Sequence, residues 1–288
     1  MAFGDWRVLA DVACDTGENP LYLPEEDAVV WTDIPAGVLY RYCCADGAFD
    51  AIYRGRPVGG FTREADGRLL LFRDAGNIVL WSPEGEQTIL DEISAERSSR
   101  FNDVIADPLG RVFAGTMPTG SVGGRLYRID PDGHLTIVAE NIGCSNGLGF
   151  SMDGATLYFT DSAARTITCF SYDEKTGAAT DRRSWVTVPE GEGVPDGLTV
   201  DREGTVWSAR WDGNRITGYQ PDGTVTAVVS LPIAKISSLT FGGPGGDIAY
   251  VTTAGGGGRP EQGEFAGSLL QVDLATTGTV EHCSRFGA

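Results

Sequence analysis

Short apolar runs separated by clusters of Gly, Asp, Asn and Pro give this chain a repeating pattern. One grammar recurs six times: an apolar strand, a polar turn, a second strand carrying an aromatic residue, another turn and a third strand. The first strand and its turn fall at residues 20–27, 61–67, 104–110, 148–154, 198–204 and 239–246. The second strands read AVVWTD, RLLLFRD, RVFAGT, TLYFTD, TVWSAR and IAYVTT. Their aromatic anchors, Trp31, Phe72, Phe113, Tyr158, Trp207 and Tyr250, recur at intervals of about 41 to 49 residues. Third strands follow as VLYRYCC, NIVLWSP, RLYRIDPDG, TITCFSYD, RITGYQPDG and SLLQVDL, and QTILDEI and SWVTVP supply outer strands. Alternation over four to eight residues between turn signals marks half-buried strands.

A period of this length, with up to four strands per unit, is the signature of propeller blades. No blade can bury both faces alone, so the pattern predicts an all-β, six-bladed β-propeller with a central channel. It is read as a single domain over residues 1–288. The segment WRVLADV precedes the first repeat and is expected to complete the last blade, closing the ring.

Composition narrows the partners. The formal net charge is −18, with 40 acidic residues against 22 basic ones. Such a surface repels phosphate backbones and anionic lipid, which argues against nucleic acid and membrane partners. The acidity serves solubility or adaptation to a high-salt host. No apolar run reaches the length of a membrane span and no signal peptide is apparent, so a cytoplasmic protein is expected. A closed ring needs no partner, so a monomer is expected. The six cysteines form no C-x-x-C pair and read as reduced, mostly buried thiols, with Cys43 and Cys44 on alternate faces of one strand.

The innermost strand of each blade lines the channel, so the residues just before each first strand are comparable. They are Glu18-Asn19, Gly59-Gly60, Asn102-Asp103, Asn146-Gly147, Asp196-Gly197 and Ser237-Ser238. Turn capping explains any one such Asn or Asp. Oxygen-bearing side chains in several blades instead predict a ring converging on the channel axis. Carboxylate and amide oxygens suit a hard divalent cation.

The segments GENPLY, RFND followed by AGTM, SNGLGFS and VPDGLTVDREGTVW resemble the motifs of the SMP-30/gluconolactonase (regucalcin-like) family. They stand in that family's order and spacing over essentially the whole chain. The resemblance implies a lactonase that holds one divalent metal ion through Glu18, Asn146 and Asp196. It places substrate-binding roles on Arg100 and Asn102, with Asp103 beside them. Two departures stand out. Thr119 and Gly120 lie where some members carry an acidic substrate contact, and Asn19 replaces a more usual serine or glycine. The first leaves the sugar undefined, while Ca, Zn, Mn, Mg and Fe(II) all suit the ligands.

The expected activity is metal-dependent hydrolysis of a sugar-acid lactone, such as a glucono-, xylono- or arabinonolactone, to the aldonic acid. The cation would supply Lewis acidity toward the lactone carbonyl. Asp196 is the expected catalytic base, and Arg100 and Asn102 would bind hydroxyls of the small-molecule lactone. The alternatives are hydrolysis of other lactones, esters or organophosphates on the same scaffold, or a non-enzymatic calcium-binding propeller. Gly143-Cys144-Ser145-Asn146-Gly147 fits a nucleophile elbow, but a strand pattern rather than a helix follows it. His134 and His282, the only histidines, read as ordinary surface or strand residues. The run 255–258 of glycines reads as a mobile loop, with no following helix to cradle phosphate.

Overall fold

A computed structural model describes residues 2–287. Among these residues the strands form six four-stranded antiparallel sheets, the blades of the expected propeller. In blades 1 to 5 the strands pair in chain order. Blade 6 is made of Ile236–Gly242, Ile248–Thr253 and Leu269–Val272, and its outer strand is Trp6–Ala10 from the start of the chain. Val8 pairs with Leu270, so the ring closes as the sequence predicts. Among the described residues no helix is long and apolar enough to cross a membrane.

The Asp-Gly and related turns explain how each blade starts. Gly67, Gly110, Gly154, Gly204 and Gly246 follow the inner strands of blades 2 to 6, and all have φ between 67° and 90°. Glycine adopts this left-handed conformation without steric cost, which permits the tight return into the second strand. The six aromatic anchors all lie in the interior, none more than 4% exposed. The interior forms six apolar clusters, one at each blade-to-blade contact, and the anchors enter five of them. Leu21, Leu39 and Phe61 pack blade 1 on blade 2, for example, and Tyr22, Trp31 and Tyr250 pack blade 6 on blade 1. The core is therefore a ring of interfaces, which is why no blade folds alone.

Three expectations need correction. The residues thought to precede the inner strands lie inside them: those strands are Gly17–Leu23, Val58–Arg63, Phe101–Ala106, Ser145–Phe150, Val194–Val200 and Ile236–Gly242. The strand Val38–Cys43 ends before Cys44, and of the free cysteines among the described residues only Cys14 and Cys169 are fully buried. A one-turn helix, Arg259–Gln262, does follow the glycine run, with a proline in its first turn.

Beyond blade 6 the chain crosses the far mouth of the channel as a strap. Arg202 donates its backbone N–H to Thr277 O at 2.8 Å in blade 5, and Thr240 Oγ1 of blade 6 donates to Glu281 Oε1 at 3.3 Å. Ser284 pairs with Glu64 of blade 2, and Phe286 enters the core between blades 2 and 3.

Candidate functional site

In every blade the ladder between inner and second strands slips at one place. The slips fall at Glu18/Leu21, Val58/Gly60, Phe101/Val104, Ser145/Leu148, Pro195/Leu198 and Ile236/Ser238. A bulge re-aims the side chains it carries. Here it falls on the residue pairs that the repeat equates across blades. The six inner strands also crowd one another at this level. A Cβ on Gly147 would lie 2.5 Å from Leu198 N and 2.6 Å from Asp196 O, and one on Gly197 2.2 Å from Ser238 Oγ. Only glycine fits where neighbouring strands touch.

A cavity of about 410 Å³ opens at this end of the channel. Glu18, Arg100, Asn102, Asn146 and Asp196, from blades 1, 3, 4 and 5, all line it. The structure thus brings together every residue singled out as ligand, base or substrate contact. Ser145 does not behave as a nucleophile: it opens a strand, and a Cβ built on Gly115 would fall 1.5 Å from its Oγ. His134 and His282 are exposed, away from the cavity. Thr119 pairs with Val122 in a tight hairpin, and neither Thr119 nor Gly120 lines the cavity.

Hydrogen bonds join the side chains in a chain. Arg100 Nη1 donates to Asn102 Oδ1 at 2.5 Å, Asn102 Nδ2 donates to Asn146 Oδ1 at 3.1 Å, and Asn146 Nδ2 donates to Ser162 Oγ at 3.0 Å. No carboxylate among the described residues lies within ion-pair distance of Arg100, which is half-buried and whose charge desolvation disfavours. A surface salt-bridge role for it is thereby set aside.

The carboxylates are in tension. Burial, then the charges of Asp196 and Asp103, pushes the Glu18 carboxyl well above its usual range. Burial, then Asp103, does the same to Asp196, against the opposing pull of Arg210. Burial raises Asp103 to about 7. Asp196 is 2% exposed, and its Oδ1 has no hydrogen-bond partner. Buried acceptors are almost always satisfied, so this orphan oxygen beside a second buried carboxylate calls for a proton or a cation. No group of three or more His, Cys, Asp or Glu side chains among the described residues could hold a metal ion. The donor set that fits one is Glu18, Asp196 and the amide of Asn146, all oxygen donors suited to a hard divalent cation.

Several lining residues were not foreseen. Met117, Ser162 and Trp211 sit at or just beyond the ends of the second strands of blades 3, 4 and 5. Their repeated position was a usable signal, although their side chains share no chemistry. Thr16 and Cys144 are held by second-strand aspartates: Asp33 Oδ1 accepts Thr16 N–H at 3.1 Å, and Asp161 Oδ1 accepts Cys144 N–H at 3.0 Å.

Fold and site together define a class: a six-bladed propeller with one buried carboxylate-and-amide pocket at one end of its channel. The chain belongs to the SMP-30/Gluconolactonase/LRE-like family, which its residues 16–255 match. It is 43% identical to the pentonolactonase XacC of Haloferax volcanii, over 95% of this chain and 96% of that protein. It is 30% identical to Homo sapiens regucalcin over 86% of each. In structure it resembles the calcium-binding protein regucalcin of Agrobacterium tumefaciens C58, with a TM-score of 0.90 and 24% identity, covering 98% of this chain and 97% of that one.

Proposed function

We propose that this protein hydrolyses a sugar-acid lactone, most specifically a pentonolactone, and that it needs one divalent cation to do so. The carrying observation is the partnerless, buried Asp196 Oδ1, which shares one pocket with Glu18, Asn146 and Arg100. Family membership supports lactone chemistry, and the likeness to XacC favours a five-carbon sugar acid. Glu18, Asn146 and Asp196 would hold Ca, Zn, Mn, Mg or Fe(II). When bound, the cation supplies Lewis acidity toward the lactone carbonyl.

The protein's own groups do the rest. Asp196, which lines the cavity with one carboxylate oxygen lacking a hydrogen-bond partner, would take the proton from the attacking water. Arg100 presents its fork of donors to ring hydroxyls. Asn102 spends its oxygen on Arg100 and its amino group on Asn146, so it locks the substrate-binding arm to the ligand-bearing strand.

The test is a panel of pentono- and hexonolactones assayed by acid release, with and without chelator. The wild type should hydrolyse pentonolactones best and lose activity on chelation. Asp196→Ala should lose both activity and calorimetric cation binding. Arg100→Ala should keep cation binding but lose kcat/KM by roughly ten- to a hundredfold, the worth of a charged hydrogen bond. Full activity after chelation would rule out the cation. Hydrolysis of no sugar lactone would rule out the function.

A further inference from the structure

The polar residues occupy only part of the pocket wall. Trp211 ends the second strand of blade 5 and pairs across the ladder with Val194, the first residue of that blade's inner strand. Both line the cavity. Met117 and Cys144 continue the apolar surface from blades 3 and 4, their sulfurs 3.8 Å apart. The indole is fixed from outside: Lys235 Nζ lies 5.0 Å from its ring centroid, and Asp212 pairs with that ammonium. A cation at this distance from an indole is an attractive contact that restrains the ring. Lys235 is one of only two lysines in a chain whose other basic residues are arginines.

We propose that Trp211, restrained by Lys235, is a specificity-determining residue: the C–H face of the closed sugar ring lies against it, opposite the groups that bind its hydroxyls. The inference rests on the lactonase reading above. An aldonolactone is amphiphilic, with hydroxyls along its edges and C–H bonds on its faces. An aromatic surface buries those C–H bonds without desolvating the hydroxyls, while Arg100 satisfies the edge. Pockets of this kind combine apolar walls with a few placed polar groups. The planar indole matches a planar ring and not a flexible open chain, so it distinguishes the lactone from the acid it becomes.

The experiment uses the cation-loaded enzyme with D-xylono-1,4-lactone as substrate and D-xylonate as inhibitor. Trp211→Ala should raise KM about three- to twelvefold, the worth of an aromatic contact, with kcat within about threefold. Contact made equally in ground and transition states moves KM and leaves kcat. Trp211→Phe should restore KM to within about threefold of wild type. Inhibition by the open-chain xylonate should change less than twofold in either variant. Lys235→Ala should raise KM by a smaller factor, and should add nothing in a Trp211→Ala background because the two act as a unit. A KM within twofold of wild type in Trp211→Ala overturns the inference and leaves the proposed function standing. Equal losses in Trp211→Ala and Trp211→Phe, or a kcat that falls with KM, mark a merely structural residue and also overturn it. A wild type that hydrolyses no sugar lactone overturns the proposed function and this inference together.

Discussion

Asp103 shows how much the pocket asks of single residues. Its carboxylate is buried, accepts its hydrogen bond from the neighbouring Val104 N–H at 3.0 Å, and faces the charges of Glu18 and Asp196. Burial lifts it to about 7 from an ordinary value of 3.8. The folded state therefore holds a proton that the unfolded chain has released, and between those two values folding loses stability as pH rises. In chelated protein, urea unfolding should show stability falling from pH 4 to pH 8. Asp103→Asn keeps the acceptor for Val104 and removes the charge. It should flatten that fall by on the order of a few kcal/mol at pH 8. Identical slopes for the two proteins would mean that Asp103 is not the strained group. The same tension makes the site attractive to a cation, because a divalent ion would offset the repulsion between Glu18 and Asp196, which both line the cavity.

The inner strand is the element that makes the site. Six bulges at equivalent positions turn what would be an ordinary ladder into a ring of inward-aimed side chains, and glycines stand where adjacent strands press together. Gly147 has no positive φ, so its requirement is steric alone. Gly147→Ala should force Leu198 and Asp196 of the next blade aside. It should cost about 1–3 kcal/mol in urea unfolding, as overpacking does, and reduce lactonase activity with it. A variant as stable and active as wild type would show that the contact gives way freely. The repeat made Glu18, Asn102, Asn146 and Asp196 legible in the sequence, because aligning blades aligns oxygen-bearing residues. It did not reveal that they lie within strands, since a bulge arises from contact between neighbouring strands and leaves only the glycines as its trace. Trp211 and Met117 stayed hidden for a different reason. Their shared position follows from the repeat, but nothing in an indole and a thioether announces a common task.

At the scale of the whole molecule, 40 acidic residues against 22 basic ones leave a net charge of −18. Self-repulsion of that size works against compactness, and salt screens it with a Debye length of about 10 Å at 0.1 M and about 3 Å at 1 M. Thermal unfolding should therefore move up by several degrees between low salt and about 1 M NaCl. A melting point that is flat or falls over that range would show that ion pairs such as Arg125–Glu96 outweigh the net repulsion.

The outer strand of blade 6 also sets the order in which the molecule can be born. Hairpins between consecutive strands form as soon as both have been made, but Val8 must wait for Leu270. Residues 6–10, made well before their partners, are thus among the last to be placed. Joining them closes a very long loop, and contacts of such separation slow folding. A nascent chain halted before Leu269 already carries Glu18, Arg100, Asn102, Asn146 and Asp196. It has every chemical group of the pocket and no closed circle to hold them at one mouth. Activity therefore arrives late and all at once in synthesis, when the last blade captures the first strand.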